Sequence, residues 1–231
     1  MKPRLALIAV MLFLAVSIRL SAQEDTFYRL ELGGGIGAGF SLNDLNNKFF
    51  GFPHVSGALV ARFPLNPRMA VKTRVDYLGL RGNTTKVTDF YPANPNASGT
   101  ETLDYKMSGS QVGLTALYEL HFLPYGWLRG FQGHCRLVPY IQAGLGLVYA
   151  TPGKAFTMDI PIGVGLKWKV RERLNLGLDW TFHFTPSDKL DGLSAPHGIA
   201  SSEFRNKDHF SLMLFTLTYD LSPKCPTCNK D

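Results

Sequence analysis

Between Phe156 and Phe184 the chain alternates apolar and polar residues twice, with a charged break between. Phe156, Met158, Ile160, Ile162, Val164, Leu166, Trp168 and Val170 take every second position, and Thr157, Asp159, Pro161, Gly163, Gly165, Lys167 and Lys169 fill the gaps. After Arg171-Glu172-Arg173 the pattern restarts, with Leu174, Leu176, Leu178, Trp180, Phe182 and Phe184 set against Asn175, Gly177, Asp179, Thr181 and His183. Strand side chains alternate sides, so the stretch reads as a hairpin with one apolar face and one small or polar face. Soluble sandwiches alternate as well, and arm length separates the two cases. Each arm holds its period for the roughly 9 to 11 residues that a tilted strand needs to cross a bilayer, whereas strands of soluble proteins usually run to about 5 or 6. Aromatic residues at the arm ends match the interfacial girdles of outer-membrane barrels.

The same period recurs along the chain. It places Tyr28, Leu30, Leu32, Gly34, Ile36, Ala38 and Phe40 outward, opposite Arg29, Glu31 and glycines 33, 35, 37 and 39. The glycine run is no phosphate loop, because no Lys-Ser/Thr and no helical pattern follows it; inward glycines make room in a narrow barrel. Further strands are expected at Val55–Phe63, with Arg62 inward, and at Met69–Tyr77, with Lys72, Arg74 and Asp76 inward. Val112–Phe122 follows, with Glu119 and His121 inward, then Pro139–Tyr149, the hairpin, and a last strand around Met213–Leu221. The sum is an all-β, eight-stranded antiparallel transmembrane barrel with an up-and-down meander. An even count puts both ends of the sheet on one side, which in this class is the periplasm.

Composition narrows this only slightly. The 231 residues are 45% hydrophobic, include 23 Gly, and carry a formal net charge of +6. Lys2 and Arg4 before the apolar run Leu5–Val16, with Ser21-Ala22 beyond it, read as a signal peptide over residues 1–22. No Cys near its end points to a lipid anchor. Its removal takes three of the 24 basic residues, leaving 21 against 18 acidic, or +3, which gives no argument for nucleic acid. The expected division is a leader at 1–22, a barrel at 23–221 and a periplasmic tail at 222–231, in the outer membrane of a Gram-negative bacterium.

A barrel of eight strands is just wide enough for its own side chains to fill it. The inward set, Arg29, Glu31, Arg62, Lys72, Arg74, Asp76, Glu119, His121, Asp159, Lys167, Lys169 and Asp179, carries both signs. Unpaired charges in such a lumen would be costly, so paired networks that plug it are expected. A hydrolase built from His121 or His183 with Asp159, Asp179 or Glu119 lacks any nucleophile elbow, and inward histidines on a polar face are usually hydrogen-bonded structure. The expectation is a non-enzyme without cofactor or metal.

The segment 124–136 is long for its side of the barrel and carries Trp127, Arg129 and Cys135, which makes it a candidate partner surface. Cys225 and Cys228 form a CxxC in the tail. Zinc would take four ligands, and beside three thiols only His134 offers a fourth. A redox CxxC normally opens a helix. Disulfide chemistry in an oxidising compartment remains, and an odd count leaves one thiol free or paired with another chain.

The stretches GGGIGAGFSLNDLN (33–46), IPIGVGLKWKVRERLNLGLDW (160–180), GIASSEFRNKDHFSLMLFTLTYD (198–220) and KCPTCNKD (224–231) together resemble the PorG-like outer-membrane barrels. The resemblance spans nearly the whole chain after the leader, and Ser201-Ser202 through Asn206-Lys207-Asp208 and the two-Cys tail are its most specific parts. It implies a non-enzymatic component of the type IX secretion and gliding machinery, which anchors or organises a periplasmic ring of lipoprotein and partner subunits. The rival expectations are a surface barrel whose loops 82–104 and 187–207 bind a ligand or adhere, and a small solute channel.

Overall fold

The computed structural model describes residues 28–43, 50, 53–83, 105–127, 133–192 and 207–223. The expected leader, Arg129, Cys225 and Cys228 lie outside the described residues, as do most of the two long polar loops. Eight strands are formed: β1 (Tyr28–Leu42), β2 (His54–Asn66), β3 (Met69–Asn83), β4 (Lys106–His121), β5 (Leu137–Ala150), β6 (Ala155–Lys169), β7 (Leu174–Phe184) and β8 (His209–Pro223). Each pairs antiparallel with the next, and β8 pairs back onto β1 from Leu42↔His209 to Tyr28↔Pro223, closing the barrel. The end where β1 begins and β8 finishes is called the lower end below.

The period-two pattern sorts side chains as physics requires of a barrel in lipid. Ile36, Val55, Leu59, Leu114, Leu145, Ile162, Val164 and Leu178 are exposed on the outer wall, while Glu31, Arg62, Lys72, Glu119, Lys167 and Asp179 are buried within. Apolar surface turned out and charge turned in is the reverse of a soluble core, and closure leaves no sheet edge to be satisfied by water. Aromatic residues mark both borders of the belt: Phe63, Phe122, Trp168 and Tyr219 below, and Tyr77, Tyr149, Phe156 and Phe184 above. The chain is therefore an outer-membrane-type barrel.

Several strands outrun their expected limits. β3 continues to Asn83 and β4 begins at Lys106, so the Thr- and Asn-rich stretch between them is shorter than its composition suggests. β2 runs through Pro64-Leu65-Asn66, and the turn is made by Pro67-Arg68. The β5–β6 ladder is interrupted opposite Pro161, between the pairs Ala143↔Ile162 and Gly146↔Asp159, since proline has no N–H to give. In β1 the inward glycines serve close approach: a side chain on Gly37 would run into the Met213 carbonyl of β8.

One expected lumen residue is misplaced. Arg29 is exposed, and Tyr28 is the buried residue. Alternation slips at the first turn of β1, opposite Ser222, whose φ of 54° is left-handed. The Tyr28 ring leans over the lumen mouth, with its hydroxyl donating to Glu172 at 2.8 Å, and so displaces the arginine to the outside.

The lumen is filled in two storeys. Its upper half is apolar: Leu78, Leu80, Met107, Val148, Phe210, Leu212 and Leu214 form one buried cluster with Leu190. Leu190 comes from the segment after β7, which folds into the upper mouth. Its N–H donates to Asp208 at 2.8 Å, and Gly192 turns the chain back at φ +86°. The lower half holds the charges.

Candidate functional site: the charged lumen and its covered mouth

The lower storey is one connected set of ion pairs. Arg62 of β2 donates from Nε and Nη2 to the two Glu119 oxygens of β4, at 2.7 and 3.0 Å, and from Nη1 to Glu31 of β1. Such a two-pronged fit suits a planar guanidinium. Lys72 of β3 lies 2.8 Å from Glu119 and 2.8 Å from Asp179 of β7. Lys167 of β6 reaches Glu31 at 2.5 Å, and Lys169 reaches Asp220 of β8 at 2.6 Å. Tyr140 donates its hydroxyl to Asp179, and Gln142 donates to Thr181 at 2.9 Å.

Higher up, Arg74 is 3.2 Å from Asp76, 3.2 Å from Thr181 Oγ1 and 2.8 Å from His183 Nε2. His183 Nδ1 meets Asp159. An arginine only donates, so Nε2 accepts and Nδ1–H faces the carboxylate. Both imidazole nitrogens are thereby spent on structure, and the ring stacks on Phe210 at 4.3 Å. His121 gives Nδ1–H to the Pro67 carbonyl at 3.2 Å, with Nε2 3.5 Å from Glu119. Among the described residues no group of three His, Cys, Asp or Glu is placed to hold a metal ion.

Of the expected inward set, all but Arg29 are buried in the lumen. Asp220, Asn175 and Tyr140 were missed as network members. Asp220 was legible, since it precedes outward Leu221 in an alternating strand. Tyr140 and Asn175 were on the inner face but drew no notice, being uncharged.

The connection from β4 to β5 covers the lower mouth. Tyr125 hangs from it into the lumen. Its N–H donates to the Pro67 carbonyl at 2.8 Å and its hydroxyl to Asn175 at 2.6 Å. Lys167 Nζ is 4.2 Å and Lys169 Nζ 5.1 Å from the centre of its ring, a cation–π arrangement. Burial, with Glu31 nearby, pushes the Tyr125 phenol above its ordinary pKa, so it stays a neutral donor. Around it remains a cavity of about 230 Å³, bounded by His121, Trp127 and His134 as well as Lys167 and Lys169. The covering segment is held by its own bonds: Cys135 N–H to Pro124 O at 2.7 Å and Gly126 N–H to Cys135 O at 3.2 Å. Trp127, which borders the cavity, lies with the Arg136 guanidinium 3.9 Å from its ring centre; Arg136 is exposed and Cys135 half-exposed.

Comparisons with known proteins fall at the level of architecture. No protein-family model matches the chain, and no curated protein matches it. Solved structures do: Neisserial surface protein A, with 12% identity and a TM-score of 0.47 over 83% of this chain and 97% of that one. Ail, the attachment invasion locus protein of Yersinia pestis, shows 9% identity and a TM-score of 0.45 over 85% and 100%. The outer-membrane protein OprG of Pseudomonas aeruginosa shows 12% and 0.46 over 86% and 98%. At such identities what the chain does must be argued from its own residues.

Leu190 packs into the upper half of the lumen and Tyr125 into the lower mouth, with ion-paired charges between them. Reconstituted in a planar bilayer, the barrel is expected to give no stepwise conductance. Steps of a stable unit size would show the network open.

Proposed function

We propose that the protein is a non-conducting outer-membrane barrel that anchors or organises periplasmic subunits of a type IX secretion machinery at its lower rim, the rim facing the periplasm. The observation that carries the reading is the β4–β5 connection. Two antiparallel strands can be joined by a two-residue turn, yet residues 122–127 and 133–136 form a hydrogen-bonded brace at the mouth that carries Trp127, the exposed Arg136 and the partly exposed Cys135. The buried network behind it braces that cover through Tyr125, Asn175 and Lys167, as a docking surface calls for. The assignment to secretion draws on the resemblance of the quoted stretches to the PorG-like barrels; the barrel alone would suit many roles.

In this reading Trp127 and Arg136 are the anchor residues, and Cys135, Cys225 or Cys228 forms or exchanges a disulfide with a periplasmic partner. The test is a crosslinking pull-down from cells followed by mass spectrometry, with a secretion assay alongside. Wild-type barrel should capture periplasmic lipoprotein subunits of the machinery. The double variant Trp127→Ala, Arg136→Glu should lose them while keeping its heat-modifiable migration on gels, and truncation after Pro223, which spares β8, should impair secretion. Should secretion instead fail on removal of residues 84–104 and survive both rim changes, the surface-barrel reading would replace this one.

A further inference from the structure

Five arginines stand exposed around the lower rim: Arg29, Arg68, Arg136, Arg171 and Arg173. They come from the start of β1, the β2–β3 turn, the residue before β5 and the β6–β7 turn, so they are distributed around the circumference of the closed barrel. Among the described residues none of them enters an ion pair, and the one exposed acid at that rim, Glu172, accepts from the Tyr28 hydroxyl. The contrast with the interior is sharp. Arg62, Lys72, Arg74, Lys167 and Lys169 each have a carboxylate within ion-pair distance. Inside, cations and carboxylates are paired; at the rim, among the described residues, these arginines have no carboxylate within ion-pair distance.

We propose that this rim is a phosphate-binding belt for the head groups of anionic phospholipids in the adjoining leaflet. Three observations favour lipid over a docked protein. The arginines are exposed at several points of the circumference, as contact with an encircling leaflet requires. They stand just past the aromatic border formed by Phe63, Trp168 and Tyr219, the depth at which head groups lie. Arg136 lies over Trp127, so the ring face holds that guanidinium plane and leaves its N–H edges for acceptors, while Arg173, 5.6 Å from the Tyr28 ring, is positioned by hydrogen bonds to the Tyr28 and Tyr219 hydroxyls. Among the described residues the exposed rim cations are all arginine, whose planar fork takes two phosphate oxygens at once. The inference goes beyond the secretion reading and stands without it.

The test uses the full chain refolded into phosphatidylcholine vesicles, with spin-labelled phosphatidylglycerol or spin-labelled phosphatidylcholine as probe, read as the fraction of immobilised lipid. The native barrel should favour the anionic probe about fivefold, the ratio that roughly 1 kcal/mol per arginine near a membrane surface corresponds to. Raising the salt should reduce that preference. Replacing all five by Gln should bring it close to one, and replacing them by Lys should retain part of it. Equal association of both probes with the native barrel overturns the proposal, and so does an undiminished preference in the Gln variant. Should the fivefold variant fail to fold, the double variant Arg68→Gln, Arg171→Gln, confined to exposed turns, must still lower the preference. A rim that serves an acidic protein alone would show no lipid preference in any arm.

Discussion

Glu119→Gln should cost the folded barrel about 3–5 kcal/mol, the usual penalty for stranding buried charge. Glu119 is fully buried and takes both prongs of Arg62 as well as Lys72. The amide keeps the shape and removes the charge, leaving Lys72 with Asp179 alone and turning an N–H₂ toward one of the two cations. Urea unfolding of the barrel in lipid vesicles, followed by tryptophan fluorescence, measures it. Removing the rest of that charge cluster as well, in Glu119→Gln with Lys72→Met and Asp179→Asn, should recover part of the loss, because Lys72 and both of its carboxylate partners then go together. A loss below about 1 kcal/mol for the single change would mean that water reaches the pair, and the filled lumen would be wrong.

The second large effect lies on the opposite face. Ile162 sits half-way along β6 and is exposed on the outer wall. Ile162→Arg is expected to destabilise the barrel in a bilayer by about 2–4 kcal/mol, as arginine does at the midplane of outer-membrane barrels. Leu65→Arg, beside the lower turn, should cost about 0–1 kcal/mol by the same depth dependence. The same unfolding experiment in vesicles reads both. Equal effects at the two sites would show that the wall around Ile162 meets water, and the membrane placement would fail with that result.

Much of this architecture was legible because lipid and lumen ask for opposite chemistry on alternate residues. β6 and β7 show it best: Val164 and Leu178 outside, Lys167 and Asp179 inside, as their spacing dictates. The pattern fails where both faces are apolar. Phe210, Leu212 and Leu214 point inward in β8 while Met213 and Phe215 point outward, and nothing in the run Phe-Ser-Leu-Met-Leu-Phe separates the two sets. Only closure brings them to Leu78 and Leu190 and makes an apolar upper storey above the charge network. Arg29 failed for another reason. At a strand end the bilayer no longer dictates sides, and an aromatic ring with a hydroxyl partner outcompetes an arginine for the mouth. The Tyr125 stopper was hidden altogether, since a loop side chain has no period to read.

The join between the first and last strands has a consequence for assembly. Glu31 of β1 meets Lys167 of β6 across the β1–β8 seam, so an anion from the first strand quenches a cation that the rest of the sheet carries round to it only on closure. A sheet still open at that seam leaves Lys167 without its carboxylate in a half-formed, partly desolvated trough. Zipping the two outermost strands together therefore removes hydrogen-bonding edge and stranded charge in one step, which makes sealing an all-or-none event and a half-open barrel a poorly populated one.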